Sequence, residues 1–251
     1  MFESILNALL KGEIALEEAE KKILETFYER TDELMLDLER ERRQGFPEVV
    51  FASGKTTKHI ILAVEKFLEK KGIAFVSHLD EEKKKVVKDR FREYEIKEAG
   101  RLLVVKKKDI PERLDGTVGV ITAGTSDVPF AEETSLILEE LGATVRKVYD
   151  AGVAGIHRSF YALKQVKDAD LIMVFAGMEG ILPSLVASLT DLPVIAVPTP
   201  IGYGHGGEGT GALTTMLQTC VPGLLVVNIG NTVGAAAAAV RILRRIGSAE
   251  R

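Results

Sequence analysis

Cys220 is the only cysteine of the chain, and it follows a segment in which glycine recurs every one to two positions: Pro200-Ile201-Gly202-Tyr203-Gly204-His205-Gly206-Gly207-Glu208-Gly209-Thr210-Gly211. Each glycine costs conformational entropy on folding, so such a run points to backbone that something approaches closely or that adopts left-handed conformations. A thiolate is a strong, soft nucleophile, and one set behind such a loop could attack an electrophilic carbon. The competing reading is packing, because free cysteines are among the most buried residues. No second cysteine exists for disulfide exchange, and no Cys/His cluster has the spacing of a zinc site.

Other candidates recur where apolar runs end. Gly124-Thr125-Ser126-Asp127, with Pro129 just beyond, reads as a helix start in which Thr125, Ser126 or Asp127 caps; the same amides and hydroxyls could hold a phosphate. His157-Arg158, behind Gly152 and Gly155, is either a surface pair or an anion-binding pair. In Gly177-Met178-Glu179-Gly180, Glu179 is either a first-turn carboxylate favoured by the helix dipole or a general acid/base. Arg40, Arg42, Arg43 and Lys55 surround Gly45-Phe46-Pro47-Glu48 and Gly54, as a solvated face, a phosphate-reaching arm or a subunit contact. Ser53-Gly54-Lys55-Thr56 ends like a phosphate-binding loop, but Val49 stands where that motif needs its first glycine.

The elements that must position these groups fall into two halves. Residues 1–107 are charge-rich and helical in rhythm, with Leu6, Leu9, Leu10 and Ile14 in one amphipathic pattern and Ile60, Ala63, Val64 and Phe67 in another. Strand candidates at 48–52, 73–77 and 102–105 interrupt it, which predicts a smaller N-terminal α/β domain. Residues 108–116, with their lysines and Pro111, read as a linker. From 117 to 251, apolar runs at 117–123, 144–149, 171–175, 194–197 and 224–229 alternate with helical stretches. That is the pattern of a doubly wound parallel sheet in a flavodoxin- or Rossmann-like three-layer α/β fold, whose ligands collect at the carboxyl ends of the strands.

At 251 residues and 46% hydrophobic composition the chain can bury a sizeable core. A net charge of −4 and a pI near 5.7 supply no global basic field, so nucleic acid is not an expected partner. The N-terminus lacks a secretion-signal pattern, and the alanine-rich run 233–243 contains Arg241 and is too short to span a bilayer. A cytoplasmic protein without membrane contact is therefore expected.

Ala123-Gly124-Thr125-Ser126-Asp127, Gly155-Ile156-His157-Arg158 and Ala176-Gly177-Met178-Glu179-Gly180-Ile181-Leu182-Pro183 resemble the motifs of the aminoimidazole ribonucleotide (AIR) carboxylase/mutase family, PurE. The second histidine that those enzymes carry before the Leu-Pro corresponds to Ile181. The fuller resemblance is to the LarB family, which joins a PurE-like C-terminal domain to its own N-terminal domain. Asp37-x-x-Arg40-x-x-Arg43-x-Gly45-Phe46-Pro47-Glu48-Val49-Val50, Gly54-Lys55-Thr56, and Gly202-Tyr203-Gly204 through Cys220-Val221-Pro222-Gly223 carry it.

That resemblance implies synthesis of pyridinium-3,5-biscarboxylic acid mononucleotide, a step toward the nickel-pincer nucleotide. Nicotinic acid adenine dinucleotide would be carboxylated at C5 by CO2 or bicarbonate, and AMP released. It implies Cys220 as covalent nucleophile, and Glu179 and Asp127 for proton removal or positioning. Gly124, Thr125, Ser126, His157, Arg158, Gly177 and Met178 would contact carboxylates or phosphate, while Gly204, His205, Gly206, Gly207 and Gly209 would line the approach of the dinucleotide. No covalently bound cofactor is expected; Mg2+ would assist the hydrolytic half, although no metal-ligand cluster stands out. PurE-like domains imply a homo-oligomer, an octamer by analogy. The alternatives are a PurE-type carboxylase or mutase and a nucleotide-binding module without turnover.

Overall fold

The computed structural model describes residues 2–27, 29–30, 35–37, 39–108 and 114–249; most of the expected linker, 109–113, lies outside them. The chain divides into two units, Met1–Ile96 with Leu103–Ile110, and Lys97–Leu102 with Pro111–Arg251.

In the N-terminal part, helices α1 (Glu3–Leu10) and α2 (Leu16–Phe27) precede a two-stranded antiparallel pair, β1 (Glu29–Arg30) and β2 (Met35–Leu36), and a short helix α3 (Arg40–Gln44). Then come β3 (Val49–Phe51), α4 (Thr57–Lys71), β4 (Ile73–Ser77), α5 (Glu81–Arg90), β5 (Glu95–Ala99) and β6 (Leu102–Lys106). The four longer-range strands form one sheet in the order β3-β4-β6-β5, with β3 parallel and β6 antiparallel to β4. Local chemistry sets the helix limits. The Thr56 side chain accepts from the His59 N–H to start α4, and Gly72, at φ 76°, ends it by returning its N–H to Leu68 and Phe67. The periodic Ile60, Ala63, Val64 and Phe67 are all buried and join Val50, Val76 and Leu103 in one core.

The C-terminal part alternates β7 (Thr117–Thr122), α6 (Val128–Glu140), β8 (Thr144–Val148), α7 (Ile156–Val166), β9 (Leu171–Ala176), α8 (Leu182–Ala187), β10 (Val194–Pro198), α9 (Thr210–Leu217), β11 (Leu224–Val226) and α10 (Thr232–Ala249). All five strands are parallel, in the order β11-β10-β9-β7-β8. This is the parallel, helix-flanked sheet that the unbroken apolar runs predict, since central strands covered on both faces cannot alternate with polar residues. Leu171 to Ala176 of β9 and Val194 to Val197 of β10 are buried throughout. The alanine-rich α10 lies close against α6, with Ala235, Ala236 and Ala239 buried. Thr232 Oγ1 fixes that contact by donating to Glu133 Oε2 at 2.9 Å. From β7 the chain passes to β8 on one side and then returns to β9 on the other, so β7/β9 is the switch point where such sheets open a crevice. No helix among the described residues is long and apolar enough to cross a membrane.

Candidate active site

A cleft of about 340 Å3 opens at that switch point, lined by Ala123–Asp127 after β7, Asp150 and Gly152–Ala154 after β8, Ala176–Leu182 after β9, and Ile201 after β10. Gly124, Thr125, Ser126, Asp127, Gly177, Met178 and Glu179 are thus brought together, as strand-end geometry leads one to expect. Thr125, Ser126, Met178 and Glu179 are exposed, so their side chains are open to a ligand.

Asp127 is different: it is only 3% exposed, in a single 3-10 turn at Thr125–Asp127 leading into α6. Its Oδ1 accepts from Thr199 Oγ1 at 2.5 Å and its Oδ2 from the Gly124 N–H at 2.9 Å, and the Gly177 N–H donates to the carboxyl as well. One carboxylate therefore ties together the loops after β7, β9 and β10. Burial raises its pKa above the ordinary aspartate value, and the three donors offset only part of that rise. With its oxygens so engaged, Asp127 braces the cleft, and Glu179 is the less encumbered carboxylate.

Backbone conformation at the rim is unusual. Met178 and Asp150 both line the cleft with positive φ, 51° and 56°; for a methionine this is a sparsely occupied region, retained where surrounding contacts hold it. The Met178 N–H donates to the Ile201 carbonyl at 2.6 Å. Gly177 is needed for that approach, because a Cβ there would stand 2.3 Å from the Ile201 oxygen. Arg158 does not line the cleft. Its Nη1 donates to the Asp150 carbonyl oxygen at 2.9 Å and Oδ2 at 2.7 Å, so it holds the Asp150 turn. His157, beside it, is exposed and also outside the lining.

The glycine-rich loop forms a short 3-10 turn at Gly204–Gly206 before α9. Gly204, His205, Gly206, Gly207 and Gly209 do not line the cleft. At Gly209, φ is 81° and a Cβ would meet the Thr199 carbonyl oxygen at 2.7 Å, so there the close approach is made by the protein's own chain. Around Gly204, also at positive φ, a Cβ would have open space.

Cys220 is exposed, which overturns the packing reading. It lies in a second hollow of about 540 Å3 between α8 and the end of α9, with Ser184, Ser188, Thr215, Gln218 and Thr219. Ile181 lines both this groove and the cleft. Sequence reasoning missed Thr199. Thr199 stands between an apolar strand and a proline, and nothing in its neighbourhood signals a partner 72 residues earlier. Among the described residues no group of three or more His, Cys, Asp or Glu side chains could hold a metal ion.

Residues 28–108 match the LarB/PurE-like N-terminal domain, and residues 117–248 match AIR carboxylase, in the order that the sequence motifs suggested. The chain belongs to the AIR carboxylase family. Among its relatives, an uncharacterized protein of Methanocaldococcus jannaschii is 44% identical over 239 residues, 92% of each chain. An N5-carboxyaminoimidazole ribonucleotide mutase of Pyrococcus horikoshii is 33% identical over 132 residues, 50% of this chain and 71% of that one. A phosphoribosylaminoimidazole carboxylase of Saccharomyces cerevisiae is 30% identical over 151 residues, 57% of this chain and 25% of that one. The AIR carboxylase domain carries the cleft and the Cys220 groove, and the LarB-type N-terminal domain sets this chain's architecture apart from a lone AIR carboxylase domain.

Proposed function

We propose that the protein converts nicotinic acid adenine dinucleotide and CO2 or bicarbonate to pyridinium-3,5-biscarboxylic acid mononucleotide and AMP, through a covalent adduct on Cys220. The observation that carries this reading is the exposed Cys220 in a groove that shares Ile181 with the strand-end cleft. The LarB-type domain ahead of the carboxylase domain supports it.

A pyridinium carbon is electrophilic and cannot attack CO2. Addition of the Cys220 thiolate at C4 moves an electron pair into the ring and gives a neutral 1,4-dihydropyridine, whose C5 is the nucleophilic end of an enamine. C5 then bonds to CO2, leaving a proton on C5 and an iminium at the ring nitrogen. A base removes that proton; the C4–S bond breaks, the thiolate leaves and the aromatic ring returns. Glu179 is assigned as this base because it is exposed and lines the cleft, whereas Asp127 is buried and internally bonded. Water addition to the phosphoanhydride then releases AMP.

The kinship to ribonucleotide mutases favours a second reading, a PurE-type reaction on an aminoimidazole ribonucleotide; Ile181, standing where those enzymes carry a histidine, weighs against it. Wild type and Cys220→Ala, incubated with the dinucleotide, Mg2+ and 13C-bicarbonate, decide between them by mass spectrometry. Labelled dicarboxylated mononucleotide from wild type alone is expected, with at least about a thousandfold loss in the variant, as when a covalent nucleophile is removed. Turnover of aminoimidazole ribonucleotide by both proteins, with no labelled pyridinium product, would install the second reading. Because Cys220 is exposed, the variant should melt with wild type.

A further inference from the structure

The end of the glycine-rich loop packs against the turn that carries Glu179. That turn, Gly177 to Gly180, closes on itself through the Gly180 N–H, which donates to the Gly177 carbonyl at 2.9 Å. Both chain neighbours of Glu179 are then held by residues 201–212. Met178, before it, donates its N–H to the Ile201 carbonyl, and its own carbonyl oxygen comes so near Gly211 that a Cβ there would stand 3.2 Å away. Gly180, after it, has φ 65°, and a Cβ there would meet the Ala212 Cα at 2.7 Å. Only glycine suits both that conformation and that gap. Gly211 and the fully buried Ala212 belong to the first turn of α9. The backbone on either side of Glu179 is therefore fixed, while its side chain is exposed at the cleft. The left-handed Met178 fits this account, because such a residue persists where its surroundings over-determine it.

Resting on the function proposed above, we infer that Gly211 is a positioning residue: its lack of a side chain lets α9 close on the 177–180 turn and sets Glu179 for removal of the C5 proton. Gly211 lies outside the cleft lining, so it acts through the turn and not on a ligand of the cleft. Proton transfer depends steeply on placement, and an error of about 1 Å slows a reaction about a hundredfold. The glycines at this end of the loop thus serve the base, and not the approach of the dinucleotide.

The test pairs changes in the turn with a change in the substrate. Full-length wild type, Gly211→Ala, Gly180→Ala and Glu179→Gln are assayed for the dicarboxylated product, with nicotinic acid adenine dinucleotide carrying hydrogen or deuterium at C5. In Gly211→Ala the Met178 carbonyl must give by only a few tenths of an ångström. That variant should lose about tenfold in kcat with KM unchanged, and should turn over the deuterated substrate more slowly than the protiated one. Such a split marks a group that acts in the transition state and not in substrate binding. Gly180→Ala, with its clash against backbone, should lose more; where melting shows it unfolded, Gly211→Ala decides alone. Unchanged kcat in Gly211→Ala, a rise in KM alone, or a slowed variant without an isotope effect overturns the role of Gly211 and leaves the carboxylase reading standing. Glu179→Gln turning over as fast as wild type does the same, by removing the base. If wild type makes no dicarboxylated product, the carboxylase reading fails and the inference fails with it.

Discussion

Asp127 and Glu179 show how two carboxylates in one cleft can differ through their surroundings alone. Both line it, yet Asp127 is buried and bonded by Thr199, Gly124 and Gly177 while Glu179 is exposed. The Asp127 carboxyl titrates above the ordinary aspartate value of 3.8 because burial penalises its charge. Its contribution to stability is therefore full below that value and lost as pH rises through the folded pKa. Thr199→Val removes a donor that favours the ionised form and so raises the folded pKa further. The variant should lose about 1–3 kcal/mol at pH 7 and less at pH 4, where the proton is retained more fully. Urea unfolding at the two pH values measures this; a penalty that stays constant with pH would mean that Asp127 does not ionise between them.

Among the elements, the loops do more to shape the site than the helices that follow them. Gly177 lets the turn after β9 meet the turn after β10, and a Cβ there would collide with the Ile201 backbone and side chain. Gly204 needs only its left-handed conformation, in open space, and asparagine tolerates that conformation. Gly177→Ala should therefore cost about 1–3 kcal/mol by overpacking and also weaken ligands of the cleft. Gly204→Asn should cost under about 1 kcal/mol, as a surface substitution away from packed features does. Thermal melting ranks the two, and the opposite order would show that the glycine-rich loop, rather than the Gly177 contact, is the tighter constraint.

For the whole molecule, the PurE-like domain leads us to propose a homo-octamer. Mass photometry should then find a particle eight times the 27.4 kDa chain mass, and a monomer would remove that proposal. The apolar runs at 117–123, 171–175 and 194–197 were legible in the sequence as strands, because strands covered on both faces read as near-continuous apolar runs, and the structure has strands at Thr117–Thr122, Leu171–Ala176 and Val194–Pro198. Parallel topology sends the strand ends to one edge, and of the segments read there the turns after β7 and β9 line the cleft, whereas His157, Arg158 and the glycines from Gly204 to Gly209 do not. Tertiary structure alone decided that Asp127 is a brace held by Thr199, since hydrogen bonds between residues 72 positions apart leave no periodic trace in either segment. It alone separated the Cys220 groove from the strand-end cleft and gave both the side of Ile181. Spacing along a chain sets which residues share an element, whereas which hollow a side chain enters depends on how neighbouring elements pack around it.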